Sequence, residues 1–220
     1  MKKVIVGTAR SGTTCAYDKL LRNKGYIDID TIQYQYSEKH KAPGIYQGAI
    51  APGEWLHPWY YTQEQIYDNI LFLQEEKTYG REYSLKLLIP QLRSYKNWFY
   101  NFYTPDEVYI IRRRDIWKHY KSVIYQMSVN WFNSTSYVYI PLQFEPLIYT
   151  DYVWATKWFF RFHKDIYNFD YGHVLYYEDH DWGNKTLVIS EHVDYEKHFI
   201  NFEEIKNYFN AQYSMYKQTV

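Results

Sequence analysis

Near the start of the chain, "VIVGTARSGTT" (Val4 to Thr14) puts an apolar run directly before a small polar loop bounded by Gly7 and Gly12. That spacing matches the phosphate-cradling pattern GxxxxGK[ST], yet Thr13 stands where the lysine belongs and Arg10 sits inside the loop. A loop between two glycines turns tightly and aims successive N–H groups at one anion, and the N-terminus of a following helix adds positive potential. Arg10, Ser11, Thr13 and Thr14 carry further donors for oxyanions. A magnesium-dependent phosphoryl transferase uses its loop lysine to bridge the transferred phosphate. This loop keeps the hydroxyls and lacks that lysine, which argues against such a reaction.

A second stretch, "VYIIRRRDIWKHYKSVI" (Val108 to Ile124), runs an apolar strand into Arg112, Arg113 and Arg114, then into a helix capped by Asp115. Ile116, Tyr120, Val123, Ile124 and Met127 make the apolar stripe of that helix. Ser122 falls near the line of His119, off the stripe. Arginines at a strand end with a serine on the next helix form a second candidate anion site, because the planar guanidinium grips phosphate through two parallel hydrogen bonds. Two such sites suit a ligand with separated charged groups.

The elements that must position these residues alternate. Strands are expected over Lys3–Val6, Tyr26–Asp30, Tyr83–Ile89 (stopped by Pro90), Glu107–Arg112 and His173–Tyr177. Helices are expected over Thr13–Asn23, from the Thr62/Gln65 capping box to Lys77, around Ser94–Tyr103, from Asp115 to Val129, from Thr150 to Tyr167, and after the Asn201/Glu204 capping box. Between Thr31 and Tyr61 no period emerges, and Pro43, Gly44, Pro52, Gly53 and Pro58 punctuate the stretch. This alternation predicts an α/β fold: a mostly parallel central sheet flanked by helices in three layers, as one domain over residues 1–220, with ligands at the carboxyl ends of the strands.

Composition narrows the function classes. Formal net charge is zero, so no global field draws the chain to nucleic acid or to an anionic membrane. Cys15 is the only cysteine, which fits a reducing compartment and a cytoplasmic location. No segment is long and apolar enough to span a bilayer, and the eight histidines fall in no HExxH or cysteine-paired pattern, so no metal is expected. Aromatic residues reach 22% of the chain, and Trp55, Trp59, Tyr60 and Tyr61 are candidates for walls around a planar or sugar ligand.

In family terms, "ARSGTT" resembles the 5′-phosphosulfate loop of the sulfotransferases that use 3′-phosphoadenosine 5′-phosphosulfate (PAPS), and "IIRRRDIWKHYKS" resembles their 3′-phosphate motif. "VLYYED" (Val174 to Asp179) is similar to the late strand that ends in YED in many members, and the three stretches occur in family order. Two departures stand out: Ala9 replaces the usual proline, and RRRD replaces RDP. The resemblance implies a P-loop NTPase-like fold and a metal-independent, in-line transfer of a sulfuryl group from PAPS to a hydroxyl or amine on a small-molecule or glycan acceptor. It implies that Arg10, Ser11, Gly12, Thr13 and Thr14 hold the 5′-phosphosulfate. Arg113 by the arginine-pair form of the motif, or Arg114 by its spacing to Ser122, would hold the 3′-phosphate with Ser122, and Arg112 comes third. It also implies Lys86 facing the transferred group, and a general base near the second strand: Glu38 first, then Asp30, Asp28 and His40, with His57 a further possibility. Two other readings compete, a nucleotide or small-molecule kinase with a degenerate loop and a non-catalytic nucleotide- or glycan-binding module.

Overall fold

Val4, Ile5 and Val6 expose no surface, as an unbroken apolar run does when a parallel strand is covered on both faces. They form the centre of β1 (Lys3–Gly7). The computed structural model describes residues 3–20, 27–28, 83–94, 96–128, 145–181 and 194–219. The chain falls into two compact units, Met1–Arg112 with Asp170–Gly183, and Arg113–Phe169 with Asn184–Val220.

The first unit is built on a five-stranded sheet. After β1 come α1 (Thr13–Leu20), β2 (Ile27–Asp28), β3 (Tyr83–Leu88), α2 (Ile89–Ser94), β4 (Glu107–Arg112) and β5 (His173–Tyr176). The strand order is β2-β3-β1-β4-β5, and every pairing is parallel. β1 therefore lies between β3 and β4, with Ile5 opposite Lys86 and Tyr109, and Gly7 opposite Leu88 and Ile111. Ala16 and Tyr17 of α1 are fully buried. The α/β class and the parallel sheet expected from the sequence are both present.

Local details differ from the sequence reading. β3 stops at Leu88, and Pro90 sits in the first turn of α2, where a residue without an N–H loses nothing. The aromatic helical stretch breaks into a turn at Lys96–Trp98 and a π-helical turn at Phe99–Tyr103. β5 ends one residue early, at Tyr176, and gives way to a 3₁₀ turn over Tyr177–Asp179. The Thr31–Tyr61 stretch, in which the sequence shows no period, and the helix expected over Thr62–Lys77 lie outside the described residues.

The second unit is helical: α3 (Ile116–Ser128), α4 (Tyr152–Tyr167), one turn at Tyr195–His198 and α5 (Phe202–Lys217). Its core is largely aromatic. Tyr120, Phe159, Phe160, Phe199, Phe202 and Phe209 pack with Val123, Ile124 and Ile205, so part of the chain's aromatic content fills a core where aliphatic residues are more usual. Tyr120 is fully buried, and its hydroxyl lies 2.6 Å from Thr156 Oγ1. Thr156 donates its own proton to the Tyr152 carbonyl at 2.7 Å, so the Tyr120 hydroxyl is the donor of the pair.

Helix ends in this unit follow two different chemistries. Asp115 caps α3 as expected, Oδ1 accepting from Lys118 N at 2.8 Å. Asn201 precedes α5 but does not cap it. Its side chain accepts from Tyr149 N at 3.0 Å and donates to Tyr149 O at 3.1 Å, joining a bridge between Leu147 and Phe199 instead. α4 begins at Tyr152, not Thr150, and Asp151 gives it no side-chain cap.

His198 supplies a pH dependence. Ser128 Oγ donates to the Tyr125 carbonyl at 2.8 Å and lies 3.2 Å from His198 Nε2, so Nε2 carries the hydrogen in the neutral ring. Burial holds the imidazole pKa below its ordinary value of 6.5. The neutral ring is the form this unit accommodates, and the unfolded chain takes up the proton first as pH falls. The contribution is thus fully present above about pH 6.5 and is lost as pH falls from there through the folded value. Melting temperatures of the wild type and His198→Gln, taken at pH 7.5 and 5.5, check this. The drop on acidification is expected to be smaller in the variant.

Candidate functional site

At the carboxyl end of β1 the chain turns sharply. The Thr8 carbonyl accepts from Ser11 N at 3.2 Å and from Ser11 Oγ at 2.8 Å, and Arg10 adopts φ 61° while Ala9 does not share the positive φ. This is the sign pattern of a type II turn, in which the third residue must be left-handed. Proline suits the second position of that turn, and Ala9 occupies it here. Left-handed backbone costs a non-glycine residue about 1–2 kcal/mol, so Arg10 is held in place by its surroundings.

Two glycines make the turn possible. A Cβ on Gly7 would collide with Thr13 Cγ2 and lie 2.6 Å from Ser11 Oγ, so the loop folds back over the strand end only because Gly7 lacks a side chain. Gly12 adopts φ 96°, and a Cβ there would enter the ring of Tyr177. Tyr177 follows β5, two strands away from β1 in the sheet, and packs against the loop. On sequence alone Tyr177, Glu178 and Asp179 are expected to be architectural, tying the last strand to its neighbours, and the packing of Tyr177 on this loop is of that kind. The sequence signal for this contact is its place just after the last residue of a parallel strand.

Gly12 O accepts from Ala16 N at 3.0 Å and starts α1, whose first turn carries Thr13 and Thr14. The leading N–H groups of a helix have no partner within it, and here they follow directly on the loop. Ser11 and Thr13 are buried, whereas Arg10 and Gly12 are half-buried. The Ser11 hydroxyl hydrogen is committed to Thr8, so Ser11 shapes the turn in this state, and Arg10 is the residue of the loop that carries charge.

Lys86 is fully buried on the interior strand β3. It stands opposite Ile5, two residues before the strand end, and the pleat puts it on the same face as Ile5 and Gly7. A solvated strand-edge lysine is thereby excluded. Arg112 ends β4 one residue past the position opposite Gly7 and belongs to the other face. Within the first unit, the structure thus gathers Arg10, Lys86 and Arg112 at or near the carboxyl ends of three adjacent strands.

The second motif lies in the second unit, apart from Arg112. Arg113 is buried at 8% exposure, while Arg114 is exposed. The Arg113 carbonyl accepts from the Tyr167 hydroxyl at 2.8 Å. Ser122 and His119 are both buried, at 4% and 2%, although the apolar stripe alone placed them off the packed face. His119 lies edge-on to Phe159 at 5.0 Å, so α3 is covered over a wider arc than its aliphatic residues suggest. Glu38, Asp30, His40 and His57 lie outside the described residues, and Asp28 is described only as the last residue of β2.

Among the described residues no group of three His, Cys, Asp or Glu side chains is arranged to hold a metal ion, and no helix is long and apolar enough to cross a membrane. Compared with protein-family models, curated proteins and solved structures, the chain matches none.

The Gly12–Tyr177 contact is open to a double-mutant cycle. Gly12→Ala carries both the left-handed strain and the ring collision, and only the collision is relieved when Tyr177→Ala is added. Urea melts are expected to show the double variant more stable than the sum of the single losses by about 1 kcal/mol or more. Additive losses would mean that the ring moves aside freely.

Proposed function

We propose that the chain is a PAPS-dependent sulfotransferase. The observation that carries this reading is the loop after β1. Its turn holds Arg10 left-handed at the strand end and runs straight into the N-terminus of α1, with a threonine in the position of the phosphoryl-transfer lysine. Such a loop offers one guanidinium and a helix N-terminus to a monoanionic sulfuryl group and its phosphate. It lacks the lysine that a more highly charged phosphoryl group calls for.

In this reading the acceptor oxygen attacks sulfur in line with the bond to the 5′-phosphate. The new S–O bond forms as the old one breaks, and the electron pair of the broken bond stays on the phosphate oxygen. Arg10 and the N–H groups at the start of α1 stabilise that growing charge, which costs no reorganisation because the turn already fixes them. Thr13 and Thr14 complete the cradle, and Ser11 holds its shape. Lys86 neutralises the sulfuryl oxygens from β3, where it lies on the same face as Ile5 and Gly7, two residues before the strand end. Glu38 takes the acceptor proton. Arg113 and Ser122 select the 3′-phosphate; Arg113 is preferred to Arg114 because its guanidinium belongs to a buried residue and the other to an exposed one.

Transition-state and ground-state roles separate in kinetics. Arg10→Ala is expected to lower kcat by roughly a hundredfold or more, the scale of losing one preorganised donor to developing charge. Ser122→Ala is expected to raise KM for PAPS several-fold with kcat nearly unchanged. Saturation curves with one working acceptor measure both. An Arg10→Ala variant altered only in KM would leave the loop as a nucleotide holder and move the transfer chemistry to Lys86.

A further inference from the structure

We infer that Tyr167 is a positioning residue that sets the ligand's 3′-phosphate selectivity by fixing the backbone of Arg113. The inference rests on the nucleotide reading above, but its geometry lies wholly within the second unit. Arg113 is the first residue past β4 and precedes the Asp115 cap of α3 by two residues, so its own φ and ψ decide where its guanidinium points. That backbone is restrained by the 2.8 Å hydrogen bond from the Tyr167 hydroxyl to the Arg113 carbonyl.

Tyr167 is itself well anchored. It is the last residue of α4, and its ring stacks on His163 one turn earlier, with centroids 4.4 Å apart and planes 22° from parallel. His163 is buried, and its Nδ1 lies 2.8 Å from the Tyr216 hydroxyl of α5. A chain of three aromatic rings from two packed helices therefore ends on one carbonyl, that of a buried arginine. The stacking on His163 is made by the ring, which phenylalanine would preserve, while the hydroxyl makes the bond to the Arg113 carbonyl. The hydroxyl serves the Arg113 backbone, and through it the direction of the guanidinium.

The test is calorimetric titration of the intact chain with adenosine 3′,5′-bisphosphate and with AMP, for the wild type, Tyr167→Phe and Tyr120→Phe. The last variant removes a buried hydroxyl of similar kind, the donor to Thr156, and does not touch Arg113. Tyr167→Phe is expected to weaken the bisphosphate by roughly fivefold to tenfold, the scale of one hydrogen bond, and to leave AMP unchanged. Tyr120→Phe is expected to lower the melting temperature comparably with both affinities intact. If the wild type does not prefer the bisphosphate, the nucleotide reading falls and this inference with it. If the wild type prefers it and Tyr167→Phe keeps that preference, or loses affinity for both ligands equally, the positioning role alone is overturned.

Discussion

β1 is hydrogen-bonded along both edges, to β3 and β4, and the way it ends decides what can follow. Its last residue, Gly7, stands level with Leu88 and Ile111, where any side chain would collide with Thr13 and Ser11. The absence of one Cβ lets the next residues fold back over the sheet as a tight turn and enter α1 at once. Arg10 owes its left-handed backbone to that turn, Ser11 its burial, and Gly12 its closeness to Tyr177. Lengthening the loop would uncouple these features, since each depends on the same few residues between two fixed elements.

The second unit meets a different constraint. Its core is made of rings and of buried or half-buried hydroxyls, and such hydroxyls need partners. Tyr120 finds Thr156, Tyr216 finds His163, and Tyr167 finds the Arg113 carbonyl. An aliphatic core of equal volume would pack as well but would make no such directional bonds. The use of tyrosine thus turns packing into orientation at the arginine that starts this unit. His198 adds a sensitivity to acid, because its neutral ring is the form that burial favours.

Much of the fold was legible in the sequence because it rests on short-range rules. β4 has the bounds its apolar run sets, and Asp115 caps α3 as its spacing requires. The loop between the two glycines was legible in kind, though not the inward turn of the Ser11 hydroxyl, which depends on the geometry of one carbonyl. Burial of Lys86, His119 and Ser122 was hidden, since periodicity assigns faces by hydrophobicity and cannot see an interior strand position or an aromatic neighbour. Asn201 fits the capping-box pattern, yet Tyr149, 52 residues earlier in the chain, takes its Oδ1 and a hydrogen of its Nδ2, and what is left of the box is a 3.4 Å contact from Nδ2 to Glu204 Oε2. The particular partner of Tyr177 was hidden for the same reason: its contact with Gly12 exists only once β4 and β5 have joined the sheet.

The central proposal is that this loop, which has no lysine of its own, takes part in a metal-independent transfer of a sulfuryl group. Its most direct test is turnover of PAPS in the presence of EDTA with a panel of hydroxyl and amine acceptors, scoring adenosine 3′,5′-bisphosphate by chromatography and the acceptor by mass. The account predicts bisphosphate and a sulfated acceptor in equal amounts, with no loss of rate on chelation. Failure of PAPS to turn over with any acceptor, alongside magnesium-dependent formation of ADP from ATP, would contradict it.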